Sequence, residues 1–111
     1  GFEYGLERLI CEMKSQTQVF VVGLTPVDEE KMPFAGCLWY SNDFCHSYER
    51  RMEEVCINQN IPFLPTFREM YSDPRSKNWI SQDGIHLNSN GHFWIYQRIK
   101  SWDILKEWKE S

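Results

Sequence analysis

No apolar stretch in this 111-residue sequence is long enough to cross a membrane; the longest, Val19-Phe20-Val21-Val22, suits a strand. Lys and Arg are nowhere clustered and the formal net charge is −4, so the electrostatic footprint of a nucleic-acid binder is missing. None of the four cysteines, Cys11, Cys37, Cys45 and Cys56, forms a Cys-x-x-Cys pair, which removes zinc-ribbon and thioredoxin-type chemistry. No Gly-rich phosphate loop joins a strand to a helix, which disfavours a flavodoxin-like binding domain. None of the glycines at 1, 5, 23, 36, 84 and 91 is followed two residues later by Ser, so no Gly-x-Ser-x-Gly elbow is encoded. No secretory leader is visible and the first residue is Gly rather than Met. The chain is read as part of a cytoplasmic protein with reduced thiols, Cys11 and Cys56 lying on the apolar faces of helices.

What is present is the composition of a chain that buries a core: 41% hydrophobic and 15% aromatic residues. Leu6, Leu9, Ile10 and Met13 recur at helical spacing, which predicts an amphipathic helix over 3–15. Residues 18–24 are continuously apolar near their centre, the pattern of a strand covered on both faces, and Pro26 ends it. After a long loop over 25–41, a residue among Ser41, Asn42 and Asp43 caps a second helix reaching about Asn58. Its inner stripe is read as Phe44, Tyr48, Met52, Val55 and Cys56, with Glu49, Arg50, Glu53 and Glu54 outside. Ile61-Pro62-Phe63-Leu64 predicts a second strand, near a sheet edge because Pro62 cannot donate to a ladder. A loop with helical turns follows over 66–82. The last helix runs from about Asn88 to Trp108, bent near Ser101, with Ile95, Ile99 and Trp102 inward.

The order helix, strand, helix, strand, helix makes residues 19–64 one β-α-β unit with parallel strands. Two parallel strands leave an open apolar edge. The chain is therefore expected to be incomplete as a fold, its sheet completed by a missing N-terminal half or by a second copy.

The chemistry-bearing segment is Asp83-Gly84-Ile85-His86-Leu87-Asn88-Ser89-Asn90-Gly91-His92. An Asp three residues before a His, in a tight turn eased by Gly84, can reach the imidazole Nδ1–H. That fixes the tautomer and leaves Nε2 to take a proton. Asn88 or Ser89 would cap the following helix. A metal site built from Asp83, His86 and His92 is disfavoured, because the two histidines are not at helical ligand spacing and no Cys joins them. His92 is read as a packed or half-exposed helix residue and His46 as a surface one. The loop 25–41 leaves the carboxyl end of a strand, where open α/β sheets bind ligands, and its Phe34, Trp39 and Tyr40 are candidates for an apolar substrate pocket.

The block Asp83-Gly84-Ile85-His86-Leu87-Asn88…Gly91 resembles the last conserved block of the SGNH (GDSL-type) hydrolases. Val21-Val22-Gly23-Leu24-Thr25-Pro26-Val27-Asp28-Glu29 is similar to the strand and loop that precede it there, and residues 3–15 to the helix before that strand. The resemblance implies a flavodoxin-like three-layer α/β/α sandwich with a parallel sheet, of which residues 1–111 are the C-terminal portion of a single domain. It implies hydrolysis of a small-molecule ester or lipid without metal or cofactor, His86 acting as base and Asp83 orienting it. The sequence departs from the family in lacking the nucleophile block and the Gly and Asn blocks of the oxyanion hole. Ser41-Asn42-Asp43 follows the Val-Gly-Leu strand, the wrong side for the family's Gly-x-Asn-Asp block. The chain alone is therefore expected to show no significant esterase turnover, and the alternative reading is a non-catalytic α/β interaction module, a pseudoenzyme remnant that pairs through its exposed sheet edge.

Overall fold

A computed structural model describes residues 1–110. It is a mixed α/β structure, mostly helical, in the order α1 (Phe2–Lys14), β1 (Val21–Val22), α2 (Asn42–Asn58), β2 (Phe63–Leu64), α3 (Thr66–Tyr71), α4 (Ser89–Lys100) and α5 (Asp103–Glu110). Short 3-10 turns lie at Glu29–Lys31 and Ser76–Trp79. The β-α-β unit is present, with β1 and β2 parallel and Val21 opposite Phe63, Val22 opposite Leu64. The regular strands are shorter than the predicted 18–24 and 61–64, and the sheet has two strands among the described residues.

Alternation along the first strand divides the core. Val19 and Val21 face α1 and α2, packing with Ile10, Val55, Cys56 and Ile61. Phe20 points to the opposite side, edge-on to the rings of Trp102 and Trp108 at 5.8 and 5.7 Å. The amides of Val21 and Gly23 donate to Pro62 and Leu64 across the ladder at 3.0 and 2.8 Å. The amide of Val22, between them, points to the other edge of β1, where no described strand lies. The last helix breaks at Ser101 as expected. Trp102 is buried there, with Ile95 and Ile99 half-buried before it.

Several side chains depart from the predicted faces. Leu9 and Met13 of α1 are exposed, and so is Cys11. In α2, Met52, Val55 and Cys56 turn inward, but Phe44 and Tyr48 lie outside and Glu49 is buried. The buried stripe of α2 runs through Asn42, Cys45, Glu49, Met52 and Cys56, a helical repeat whose N-terminal members are polar. No apolar periodicity could reveal it.

Glu49 is inward because it completes the backbone. One of its carboxylate oxygens accepts from the Leu24 N–H at 2.9 Å and the Phe67 N–H at 2.7 Å, and the other from the Arg68 N–H at 3.0 Å. It thus ends β1 and supplies acceptors to the first turn of α3, whose amides have no partner within the helix. The Thr66 hydroxyl donates back to the Leu24 carbonyl at 2.7 Å. Gly23 leaves room for this: a Cβ there would lie 2.1 Å from a Glu49 oxygen. The ion pair of Glu69 with Arg98, at 2.6 and 3.1 Å, then ties α3 to α4.

Glu49→Ala strands three amides in a closed interior. Urea unfolding should show a loss of about 3 kcal/mol or more, with Glu49→Gln, which keeps one acceptor oxygen, losing less. Equal stability of Glu49→Ala and the parent would show that water replaces the carboxylate.

Candidate functional site

The segment between the second 3-10 turn and α4 is a tight loop pinned at both ends. Ile80 and Leu87 form an antiparallel bridge. Inside it the Ser81 N–H donates to the His86 carbonyl at 2.8 Å and the Gly84 N–H to the Ser81 carbonyl at 3.0 Å. Gly84 adopts φ +84°, the left-handed region that a Cβ disfavours, and a Cβ there would also meet the Lys31 side chain at 2.9 Å. Asn88 is the cap residue of α4. Its side-chain oxygen accepts from the Gly91 N–H at 2.9 Å and its amide donates to the Asn78 carbonyl at 2.7 Å. The next helix therefore starts in a fixed direction relative to the loop.

Within this frame Asp83 is held by its own turn. Its Oδ1 accepts from the Ser81 hydroxyl at 2.8 Å, the Ile85 N–H at 2.9 Å and the His86 N–H at 3.0 Å. The other oxygen lies 2.5 Å from His86 Nδ1. The backbone N–H of His86 is the largest influence, followed by the His86 ring, the Ile85 N–H and the Ser81 hydroxyl. Together they hold the Asp83 carboxyl well below the usual carboxylate range. In a neutral imidazole such an anion favours the proton on Nδ1, which leaves Nε2 as the acceptor nitrogen. The imidazole is exposed, and Nε2 has no hydrogen-bond partner among the described residues.

The three aromatic candidates of the 25–41 loop separate in space. Phe34 comes to the imidazole edge-on, ring centroids 6.5 Å apart, and Tyr40 also meets Phe34 edge-on, at 6.2 Å. The turn Phe34–Leu38, closed through Ala35 and Gly36 in the left-handed region, presents them. Tyr40 and Trp39 line an open groove of about 340 Å³ with Leu24, Phe44, Cys45 and Tyr48. Burial, and after it the nearby Glu49 charge, push the Cys45 thiol above its ordinary range and keep it neutral in this lining. The exposed Phe44 and Tyr48 of α2 thus face the groove rather than the core.

His92 is exposed on α4, and among the described residues no three His, Cys, Asp or Glu side chains gather as a metal would require. Among them, too, no helix is long and apolar enough to cross a membrane. Sequence reasoning missed Ser81, whose signal is a hydroxyl residue two positions before the Asp. It also missed Asp28, whose N–H donates to the Gly84 carbonyl, and Asn42, whose side-chain amide pairs with Val27, both contacts non-local. No family model, curated protein or solved structure matches the chain.

The depressed Asp83 carboxyl has a direct pH consequence. A group whose folded pKa lies below its unfolded value of about 3.9 contributes stability that is full above that value and lost as pH falls through the folded one. The ¹³C shift of the Asp83 carboxyl should therefore titrate below the ordinary Asp range, and Ser81→Ala should move the midpoint up towards it. A midpoint at the ordinary value in the parent would mean that the turn is not formed in solution.

Proposed function

We propose that this chain supplies the base and its orienting carboxylate to a serine esterase of the SGNH type. The observation that carries the reading is the Asp83 carboxylate against His86 Nδ1, with Nε2 open. In the proposed reaction Nε2 takes the proton of a serine hydroxyl as that oxygen attacks the ester carbonyl. Asp83 stabilises the imidazolium, and Nε2 then returns the proton to the leaving alkoxide. No metal or cofactor enters this scheme. Ser81 is not the nucleophile, since its hydroxyl is already donated to Asp83 on the side of the ring away from Nε2. The serine and the oxyanion donors belong to strands outside these 111 residues, which on this reading complete a three-layer α/β/α sandwich at the free edge of β1. The apolar part of a small ester or lipid lies in the groove of Trp39, Tyr40, Phe44 and Tyr48, with Phe34 between it and the imidazole. The groove opens beside Leu24, beyond the carboxyl end of β1, where ligands bind in open α/β sheets.

A second reading, a non-catalytic module that pairs through the β1 edge with a second copy or another chain, is supported by the surface left open as the first is. The accessible area is 7428 Å² for 13.4 kDa, against about 6500 Å² for a compact monomer of that mass. The radius of gyration is 15.3 Å, against about 13 Å for a compact domain of this length.

Labelling of the whole protein with a fluorophosphonate separates the two. Modification of a serine outside residues 1–111, together with aryl-ester hydrolysis that falls at least about a thousandfold in His86→Ala, establishes the first. Absence of labelling, with concentration-dependent self-association, establishes the second. Hydrolysis undiminished in His86→Ala would overturn the role of the imidazole. If the groove takes the apolar group, Trp39→Ala should raise KM for a long-chain ester about tenfold while leaving an acetate ester nearly unchanged. An equal change for both esters would remove Trp39 from the substrate site.

A further inference from the structure

The loop after β1 touches the imidazole by two routes. The Asp28 N–H donates to the Gly84 carbonyl at 2.8 Å, which holds the turn between Asp83 and His86, and Phe34 places its ring against His86. Between Leu24 and α2 the loop has no regular structure beyond one 3-10 turn. What fixes it is Asn42, buried at the first position of α2.

The Asn42 side-chain amide pairs with both backbone groups of Val27, as a neighbouring strand would. Its Oδ1 accepts from the Val27 N–H at 2.9 Å, and its Nδ2 donates to the Val27 carbonyl at 3.0 Å. The Asn42 backbone N–H donates to Glu29 Oε1 at 3.0 Å. The Val27 carbonyl and the Asp28 N–H belong to one peptide plane, and that plane is rigid. Asn42 grips its oxygen end while its hydrogen end donates to Gly84. A rotation that broke one bond would misalign the other, and hydrogen bonds linked through a peptide polarise one another. From Asn42 to the dyad the chain of contacts is therefore one side-chain amide, one peptide plane and one turn.

We propose that Asn42 is a positioning residue for His86. By fixing the Val27–Asp28 peptide it sets the seat of the Gly84 turn, and so the approach of Asp83 to Nδ1 that confines the ring proton there. Lys31, whose ammonium lies 3.3 Å from the Ser81 carbonyl, and Phe34 ride on the same segment and move with it. The kinetic consequence rests on the reading of His86 as a base; the effect on the ring does not.

The ring tautomer is the readout. In free histidine the neutral imidazole carries its proton mainly on Nε2, whereas Asp83 holds it on Nδ1. Long-range ¹H–¹⁵N spectra of the whole protein labelled in histidine report the two nitrogens separately, with the exposed His46 and His92 as internal references. In Asn42→Ala the Nε2–H share of His86 should rise at least about twofold as the Nδ1 contact loosens. Asn42→Asp keeps an acceptor for the Val27 N–H and an acid at a helix start, but it sets an oxygen against the Val27 carbonyl. It should shift the ring in the same direction and serves if Asn42→Ala does not fold. Thr66→Val removes a side-chain to backbone bond, from the Thr66 hydroxyl to the Leu24 carbonyl, that is not in the chain of contacts to Gly84. It should lower stability and leave the His86 nitrogens unmoved. A folded Asn42 variant with the parental His86 spectrum, or an equal shift in Thr66→Val, overturns the proposal. If the whole protein hydrolyses esters, kcat of the Asn42 variants should fall roughly ten- to a hundredfold, by more than any change in KM. If it does not, the tautomer result stands alone and the failure lies with the esterase reading.

Discussion

The Glu49 carboxylate is the point on which this structure turns. An ionised group in a closed interior is costly unless its oxygens are taken up by donors. Here three backbone amides from two different elements do so: Leu24 at the end of β1, and Phe67 and Arg68 in the first turn of α3. Those amides have no alternative acceptor, since Leu24 lies past the ladder and the first turn of a helix has none of its own. Each side thus resolves the other's unmet hydrogen bonding. The result is a junction at the carboxyl end of the sheet, where a strand stops, a long loop leaves and a helix begins. α2 contributes from within its own length, and Thr66 adds a return bond to Leu24.

The candidate site inherits its rigidity from Asn42, two turns before Glu49 on the same face of α2. Glu49 fixes where the loop departs; Asn42 fixes Val27, three residues on. The loop then has only one peptide to travel before Asp28 meets the Gly84 turn. His86 is exposed and Asp83 half-buried, and the Asp83 carboxylate is constrained by three donors on one oxygen, all from within a six-residue turn. The dyad is thus ordered by local hydrogen bonding and by a buried polar clamp beneath it, with little help from apolar packing.

The features legible in the sequence reflect this division. The Asp83–His86 pair and the two caps rest on bonds within a few residues, so spacing points to the pair and narrows the caps to a few positions, of which Asn88 and Ser41 serve. The parallel pairing of β1 with β2 comes from connectivity. The face of α2 was not legible. Apolar periodicity selects Phe44 and Tyr48 and rejects Glu49, whereas the buried positions there are decided by which side chain can satisfy stranded amides. Cys11, Leu9 and Met13 failed for a different reason. They are apolar at helical spacing, but α1 has only one neighbouring layer among the described residues, so only part of its apolar arc finds cover.

The uncovered surfaces and the unused nitrogen have a common geometry. The Val22 amide faces an open edge of β1, and that strand ends at Leu24, which lines the aromatic groove. The groove leads through Tyr40 and Phe34 to His86. A strand added in parallel at that edge would bury the Val22 amide and end beside Leu24, on the side of the sheet where the 25–41 loop and the dyad turn stand. On the esterase reading, a residue just beyond such a strand is the one that must reach Nε2. The requirement of the fold, a partner for an apolar edge, and the requirement of the chemistry, a hydroxyl for a base, can therefore be met by one element. On the esterase reading, a nucleophile sits just past that strand. On the module reading, the same edge is occupied by a chain that brings none. The two differ in the residue at the end of the added strand and not in where the strand binds, which is why a label on serine, rather than a measure of association, divides them.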